Sequence, residues 1–193
     1  MGLLGVPLFL EMEFVLQLWL KDVPDYTVVF ARLTLVQAFV QSIDFPVGKG
    51  IHAVGKMKLP NITSAFIYMM ILPISYVAIR LGASPEIAYI MIICVYPLAL
   101  LMDLYIIKLY TNFLAWNFIK NVVLKSSIFV FVTYLIAKFM VVSNMDSSFL
   151  RVIVTGITTT IIMAIQIYIW GFTVGERQYI VSILKNKLHL NNA

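Results

Sequence analysis

Residues 85–107 read PEIAYIMIICVYPLALLMDLYII, and this stretch decides the fold. Only Glu86 and Asp103 in it carry charge. A helix crossing a hydrocarbon core needs roughly 20 mostly apolar residues, so the stretch is long enough to span a bilayer. Five more runs of the same kind flank it, at 2–20, 27–46, 59–79, 122–142 and 149–172. Inside lipid no water satisfies the backbone, which leaves only helices or a closed barrel. The runs are continuously apolar rather than alternating, which excludes barrel strands. The expected fold class is all-α: a polytopic membrane helix bundle of about six transmembrane helices, forming one transmembrane domain over residues 1–193.

The gaps between the runs set the orientation. The second gap carries Lys49, Lys56 and Lys58, the fourth carries Lys108, Lys120 and Lys125, and the tail carries Arg177, Lys185 and Lys187. In the other gaps acids match or outnumber the cations: Lys21 beside Asp22 and Asp25, Arg80 beside Glu86, Arg151 beside Asp146. Under the positive-inside rule the cation-rich gaps and the C-terminus are cytoplasmic, and the N-terminus with them. The expected setting is a bacterial inner membrane, whose anionic lipid attracts those cations.

Composition agrees. Hydrophobic residues make up 62% of the chain and charged residues 12%, far from the balance of a soluble domain, and mean hydropathy is +0.96. The net charge of +5 sits in the gaps and forms no basic helix for nucleic acid. Cys94 is the one cysteine, so no disulfide framework arises, and it reads as a small core hydrophobe. His52 and His189 match no ligand spacing, so neither metal nor cofactor is expected. No nucleophile stands beside a base and no glycine-rich loop is present to cradle phosphate, so the chain does not read as an enzyme. It has no cationic region ahead of its first apolar run and opens almost directly in that run, as a piece of a larger protein does.

Short gaps predict antiparallel neighbours. Residues 21–26, KDVPDY, read as a turn flanked by Trp19 and Tyr26 at headgroup depth. At 82–86, Ser84 is placed to cap the next helix with Pro85 at its first position. Pro46, Pro73 and Pro97 predict bends in the second, third and fourth spans. Thr173 and Glu176 are spaced as a capping box. They would open a last helix with Tyr179, Ile180, Ile183 and Leu184 on one face, lying on the inner leaflet.

The second span holds the best polar stripe. Thr34, Gln37, Gln41, Asp44 and Gly48 follow one another at spacings of three and four, which stacks them on one helical face, and His52 extends it. Polar groups in a membrane face a bundle interior or a water-filled cavity. The stripe reads either as the lining of a solvated path, with Asp44 able to take a proton or hold a cation, or as interhelical hydrogen bonding. Arg32 lies off it, and can snorkel outward, pair with Asp25 or meet an anionic substrate group. The transport-path residues are thus Gln37, Gln41, Asp44 and Arg32. Glu11 and Glu13 cannot share a helical face, so at most one turns inward. Asp103 and Lys108 read as interfacial, and Lys138 as snorkelling.

Four segments bear a resemblance. Residues 18–27, LWLKDVPDYT, resemble the "LWLG-x-VPEYT" turn of bacterial polysaccharide flippases, the O-antigen and capsule lipid-linked oligosaccharide exporters of the multidrug/oligosaccharidyl-lipid/polysaccharide exporter superfamily. Residues 55–59, GKMKL, are similar to their "GKIKL" segment. LPISY at 72–76 with Leu81-Gly82 resembles "LPISY…LG", and GERQ at 175–178 resembles "SERQ". The order is the family's and covers nearly the whole chain. Lys21 stands where the family has Gly, and Asp44-Phe45-Pro46 replaces "SGP", so the pattern assigns Asp44 no role.

The resemblance implies the last six helices of a two-lobed transporter of about twelve to fourteen helices, working by alternating access. It implies a lipid-linked oligosaccharide, carried on undecaprenyl diphosphate, as substrate, and an ion gradient as driving force. Implied partners are membrane lipid and a missing N-terminal lobe or other polysaccharide-assembly proteins, with no nucleic acid and no cofactor. Two other readings stay open: a non-transporting membrane scaffold subunit of polysaccharide synthesis, and a small-molecule exporter sharing the fold.

Overall fold

A computed structural model of the chain describes residues 1–172, 175–179 and 182–183. Among them the regular structure is helical throughout, with no strand. The elements are α1 (Gly2–Trp19), α2 (Thr27–Val54), α3 (Lys58–Met69), α4 (Ile71–Arg80), α5 (Ile87–Tyr110), α6 (Ala115–Phe118), α7 (Lys125–Ala137) and α8 (Phe149–Gln166). A π-helical turn at Ile119–Leu124 joins α6 to α7, and others at Lys138–Val142 and Ile167–Gly171 extend α7 and α8. Six segments are long and apolar enough to cross a membrane: Gly2–Trp19, Thr27–Val54, Lys58–Arg80, Ile87–Tyr110, Ala115–Val142 and Phe149–Gly171. The expected all-α multi-pass bundle is therefore the observed one.

The joints follow local chemistry. Tyr26 takes φ 66° to close the turn before α2, where the Thr27 amide bonds the Pro24 carbonyl at 3.2 Å. Trp19 and Tyr26 both stand exposed beside it. Gly55 ends α2 at φ 73° with its amide on the His52 carbonyl, a left-handed cap that glycine adopts without steric cost. Ser148 caps α8, its side chain accepting from the Arg151 amide at 3.2 Å.

α2 continues through Pro46 to Val54. Val47 and Ile51, just past the proline, are buried in the main core, and that contact offsets one lost backbone bond. Several boundaries differ from expectation. The fifth span begins at Ala115 rather than 122, because a helix does not stop where its apolar run stops. Lys120 stays in it with its ammonium over the Trp116 ring, 5.2 Å from the centroid. Pro97 lies within an unbroken α5, whereas α3 and α4 part at Met70, one turn before Pro73. Ser84 does not cap α5 with its side chain. Its carbonyl accepts from the Ile87 amide at 3.1 Å, and Pro85 lies in the turn ahead of the helix. Cys94 is exposed on the helix surface, not packed in the core. Of the terminal interfacial helix, Thr173, Ile180, Leu184, Lys185 and Lys187 lie outside the described residues.

The chain divides into two compact units, Met1–Ser126 and Ser127–Ala193. In the first, α2 lies along α5, α3 and α4 pack on α5, and α1 packs on α2. Its core is Ile43, Val47 and Ile51 of α2 against Leu100, Leu104 and Ile107 of α5, with Phe39, Phe113 and Phe118 around them. Lipid is as apolar as these side chains, so close van der Waals packing rather than dehydration holds such helices together. Gly50 allows that approach: a Cβ there would meet the Ile107 Cδ1 at 3.0 Å.

The second unit buries polar residues beside Ala137, Val141 and Met163 and turns large apolar ones outward. Along α8, Thr155, Thr159 and Gln166 are buried while Ile153, Ile157, Ile161 and Ile165 are exposed. That pattern inverts a soluble helix and suits one whose outer face meets lipid. The buried hydroxyls are satisfied locally, Thr155 donating to the Arg151 carbonyl and Thr159 to the Thr155 carbonyl, both at 2.8 Å. Thr133 of α7 donates to Gln166 Oε1 at 3.3 Å across the helix pair.

Candidate functional site

The polar stripe of α2 is real but unevenly used. Thr34 and Gln41 are exposed, and the Thr34 hydroxyl donates back to the Phe30 carbonyl at 2.8 Å. His52 is exposed as well. Gln37, Asp44 and Gly48 are half-buried. Within this set Asp44 stands apart: its Oδ1 is fully enclosed and has no hydrogen-bond partner. An ionised side chain within a membrane span costs about 2.5–3.5 kcal/mol on insertion scales, so such an oxygen needs an explanation.

The explanation lies across the helix interface. Tyr89 of α5 packs its ring against Phe30 of α2, centroids 5.4 Å apart, near the starts of both helices. α3 and α4 together make one span, Lys58–Arg80, that carries the chain back across, so α2 and α5 run in the same direction. Fourteen residues on from that ring pair, along each helix, stand Asp44 and Asp103. Both lie along the stretch of the two helices where Ile43 and Val47 pack on Leu100 and Leu104. Asp103 is 8% exposed, and its Oδ1 too is enclosed without a hydrogen-bond partner. Asp103 is thus not the interfacial residue its place near a helix end led one to expect. It turns into the α2–α5 seam, between Leu100 and Leu104, instead of outward with exposed Lys108.

Two tyrosines complete the site. Tyr68 of α3 and Tyr96 of α5 meet edge to face, centroids 5.6 Å apart. The site is therefore the α2–α5 contact that carries Asp44 and Asp103, with Tyr68 of α3 packed on Tyr96 of α5 beside it. Gln37 lies two turns before Asp44 on its helix.

Arg32 is not brought to this site. It is twelve residues from Asp44, about 18 Å along the axis at 1.5 Å per residue. Its Nε donates to the Phe9 carbonyl of α1 at 3.3 Å, and its guanidinium lies over the Phe9 ring, 5.8 Å from the centroid. It neither snorkels freely nor needs Asp25. Of the two glutamates on α1, Glu11 is buried and Glu13 exposed, as their spacing requires. Lys138 is exposed with its ammonium over the Tyr134 ring.

Asp103, Tyr68 and Tyr96 were missed in the sequence reading. Tyr89, Tyr96 and Asp103 recur every seven residues, two turns apart on one face. That spacing was available in a helix otherwise apolar all round.

The chain is an all-α, multi-pass membrane protein in which Asp44 and Asp103, on two neighbouring spans, each enclose one carboxylate oxygen without a hydrogen-bond partner. No protein-family model, curated protein or solved structure matches it.

Proposed function

We propose that the chain is the C-terminal portion of a polysaccharide exporter that moves an undecaprenyl-diphosphate-linked oligosaccharide from the inner to the outer leaflet of a bacterial inner membrane. The observation that carries a transport reading is the Asp44–Asp103 pair. A membrane bundle that serves only as a scaffold gains nothing from two buried carboxylate oxygens without donors, and intramembrane acids mark ion and substrate pathways. The four motif resemblances at 18–27, 55–59, 72–82 and 175–178 supply the substrate class. In this reading Asp44 and Gln37 belong to the polar path, Gln41 borders it, and Arg32 serves to seat α1 on α2 rather than to bind substrate. The missing lobe, membrane lipid and other polysaccharide-assembly proteins are the partners.

The decisive experiment removes the gene encoding the intact transporter from its own host. Lipid-linked oligosaccharide is expected to accumulate on the inner leaflet and surface polysaccharide to fall. Unchanged surface polysaccharide would remove the substrate assignment.

The reading also sets the sidedness. Reporter fusions after Lys58 and Lys120 are expected to register as cytoplasmic, and those after Asp25, Ser84 and Asp146 as external. A cytoplasmic signal after Ser84 would invert the lysine argument and with it the proposed direction of export.

A further inference from the structure

We infer that Asp44 and Asp103 together hold one monovalent positive charge, a proton or a sodium ion, between α2 and α5. The inference deepens the proposed transport role, but binding is a property of this chain and is measurable without any transport substrate.

The argument is one of satisfaction. Buried polar atoms are almost always hydrogen-bonded, and the exceptions call for a further partner or a functional role. Here two carboxylate oxygens, one on each helix, are enclosed and lack a donor. They stand at matching positions on helices that run side by side through the core of Ile43, Val47, Leu100 and Leu104. Two like charges placed together in a low-dielectric seam repel, and a positive charge near both relieves the repulsion. Among the described residues no cationic side chain bonds either enclosed oxygen. Lys49 lies over the Phe45 ring, 5.0 Å from the centroid, Lys58 and Lys108 are exposed at the helix ends, and Arg32 is engaged at Phe9. The remaining titratable groups at the site are the phenols of Tyr68 and Tyr96, which are neutral oxygen donors.

The ligand's charge follows from the donor set. Calcium takes six to eight oxygen ligands and magnesium a near-ideal octahedron. Among the described residues no group of three or more His, Cys, Asp or Glu side chains lies together to hold a metal ion. Two carboxylates fit a small monovalent charge, which leaves the seam one net negative charge rather than two. Because the acids belong to different helices, occupancy ties α2 to α5 at this depth, and vacancy leaves the repulsion that would separate them.

The test uses the full chain purified in detergent, with sodium chloride or choline chloride at fixed ionic strength and at two pH values. A ligand that binds the folded state alone at about a hundred times its Kd raises Tm by roughly 5 °C for a chain of this size. Wild type is expected to gain that shift from sodium at constant pH if sodium is the ligand. If the proton is the ligand, it gains the shift from lower pH in choline. Asp44→Asn and Asp103→Asn are each expected to reduce the response, and the double variant to abolish it with its helical circular dichroism intact. If an Asn variant does not accumulate, Asp103→Glu keeps the charge but displaces it by a methylene, and the response should weaken. A wild-type Tm indifferent to both sodium and pH would overturn the inference. So would a double variant that responds as wild type does. Either failure would leave the export experiment untouched, whereas a normal cation response with no export defect would remove only the substrate assignment.

Discussion

Replacing both Asp44 and Asp103 by Asn in the intact transporter is expected to lower export of lipid-linked oligosaccharide about ten-fold or more, with its level in the membrane unchanged. The expectation rests on coupling. If ion occupancy of the seam and the inward–outward equilibrium bias each other, typical coupling free energies correspond to between about 5- and 150-fold. Asn keeps the size and the polar contacts of Asp while removing the charge, so packing around Leu100 and Leu104 is preserved. Abundance should not fall, because a membrane span loses an insertion cost when it loses a carboxylate. Export would be read by pulse-labelling surface polysaccharide and abundance by immunoblot of membranes. A double variant as abundant and as active as wild type would reduce the pair to packing and withdraw the transport role of Asp44. A variant that disappears from the membrane would show that the acids also hold the bundle together, and export would then be read with Asp103→Glu, for which full activity would withdraw the role of the pair.

Leu104→Ala is expected to lower the stability of the first unit by about 2 kcal/mol, the lower end of the usual range for a buried leucine. Leu104 is 2% exposed at the centre of the α2–α5 contact. In a soluble core the loss includes both dehydration and the cavity. In a membrane the surrounding lipid is as apolar as leucine, so the cavity and its lost van der Waals contacts dominate. Leu101 lies one helical step round, 53% exposed, and Leu101→Ala should cost under about 0.5 kcal/mol. Unfolding midpoints in detergent would separate the two. Equal losses at both positions would mean that α5 does not present residues 100, 104 and 107 to α2.

Gly50 belongs to the same contact. A side chain there would press on Ile107, and the sequence offers no hint of it, since Gly50 reads as one of several glycines in a cation-rich gap. Asp103 was hidden for a related reason. In a helix apolar on every side, no amphipathic stripe reports which face turns inward. A charge near its end is read by default as interfacial. The α2 stripe posed the opposite difficulty. Its regular spacing placed Thr34, Gln37, Gln41 and Asp44 on one face, but a face is wider than a contact, and only Asp44 buries an oxygen without a partner.

The prolines alone did not tell where a helix stops. Pro73 lies one turn beyond the break at Met70, while α2 runs on through Pro46 and α5 through Pro97. A proline always removes one backbone bond, but whether the helix stops depends on what packs beyond it. Val47 and Ile51 beyond Pro46, and Leu100 and Leu104 beyond Pro97, are core residues, and that information is tertiary.

By itself the sequence determined the number of spans, the helical class and the turns between the spans. These depend on run length, on the absence of water for the backbone in lipid, and on Gly and Pro at the joints, all of which are local. Only the tertiary structure decided that Asp103 is buried beside α2, that Tyr68 packs on Tyr96, that Arg32 goes to Phe9, and that Cys94 points outward. Those facts depend on the rotation of each helix about its own axis. In a uniformly apolar helix that rotation is set by interlocking with neighbours and not by any contrast between wet and dry faces.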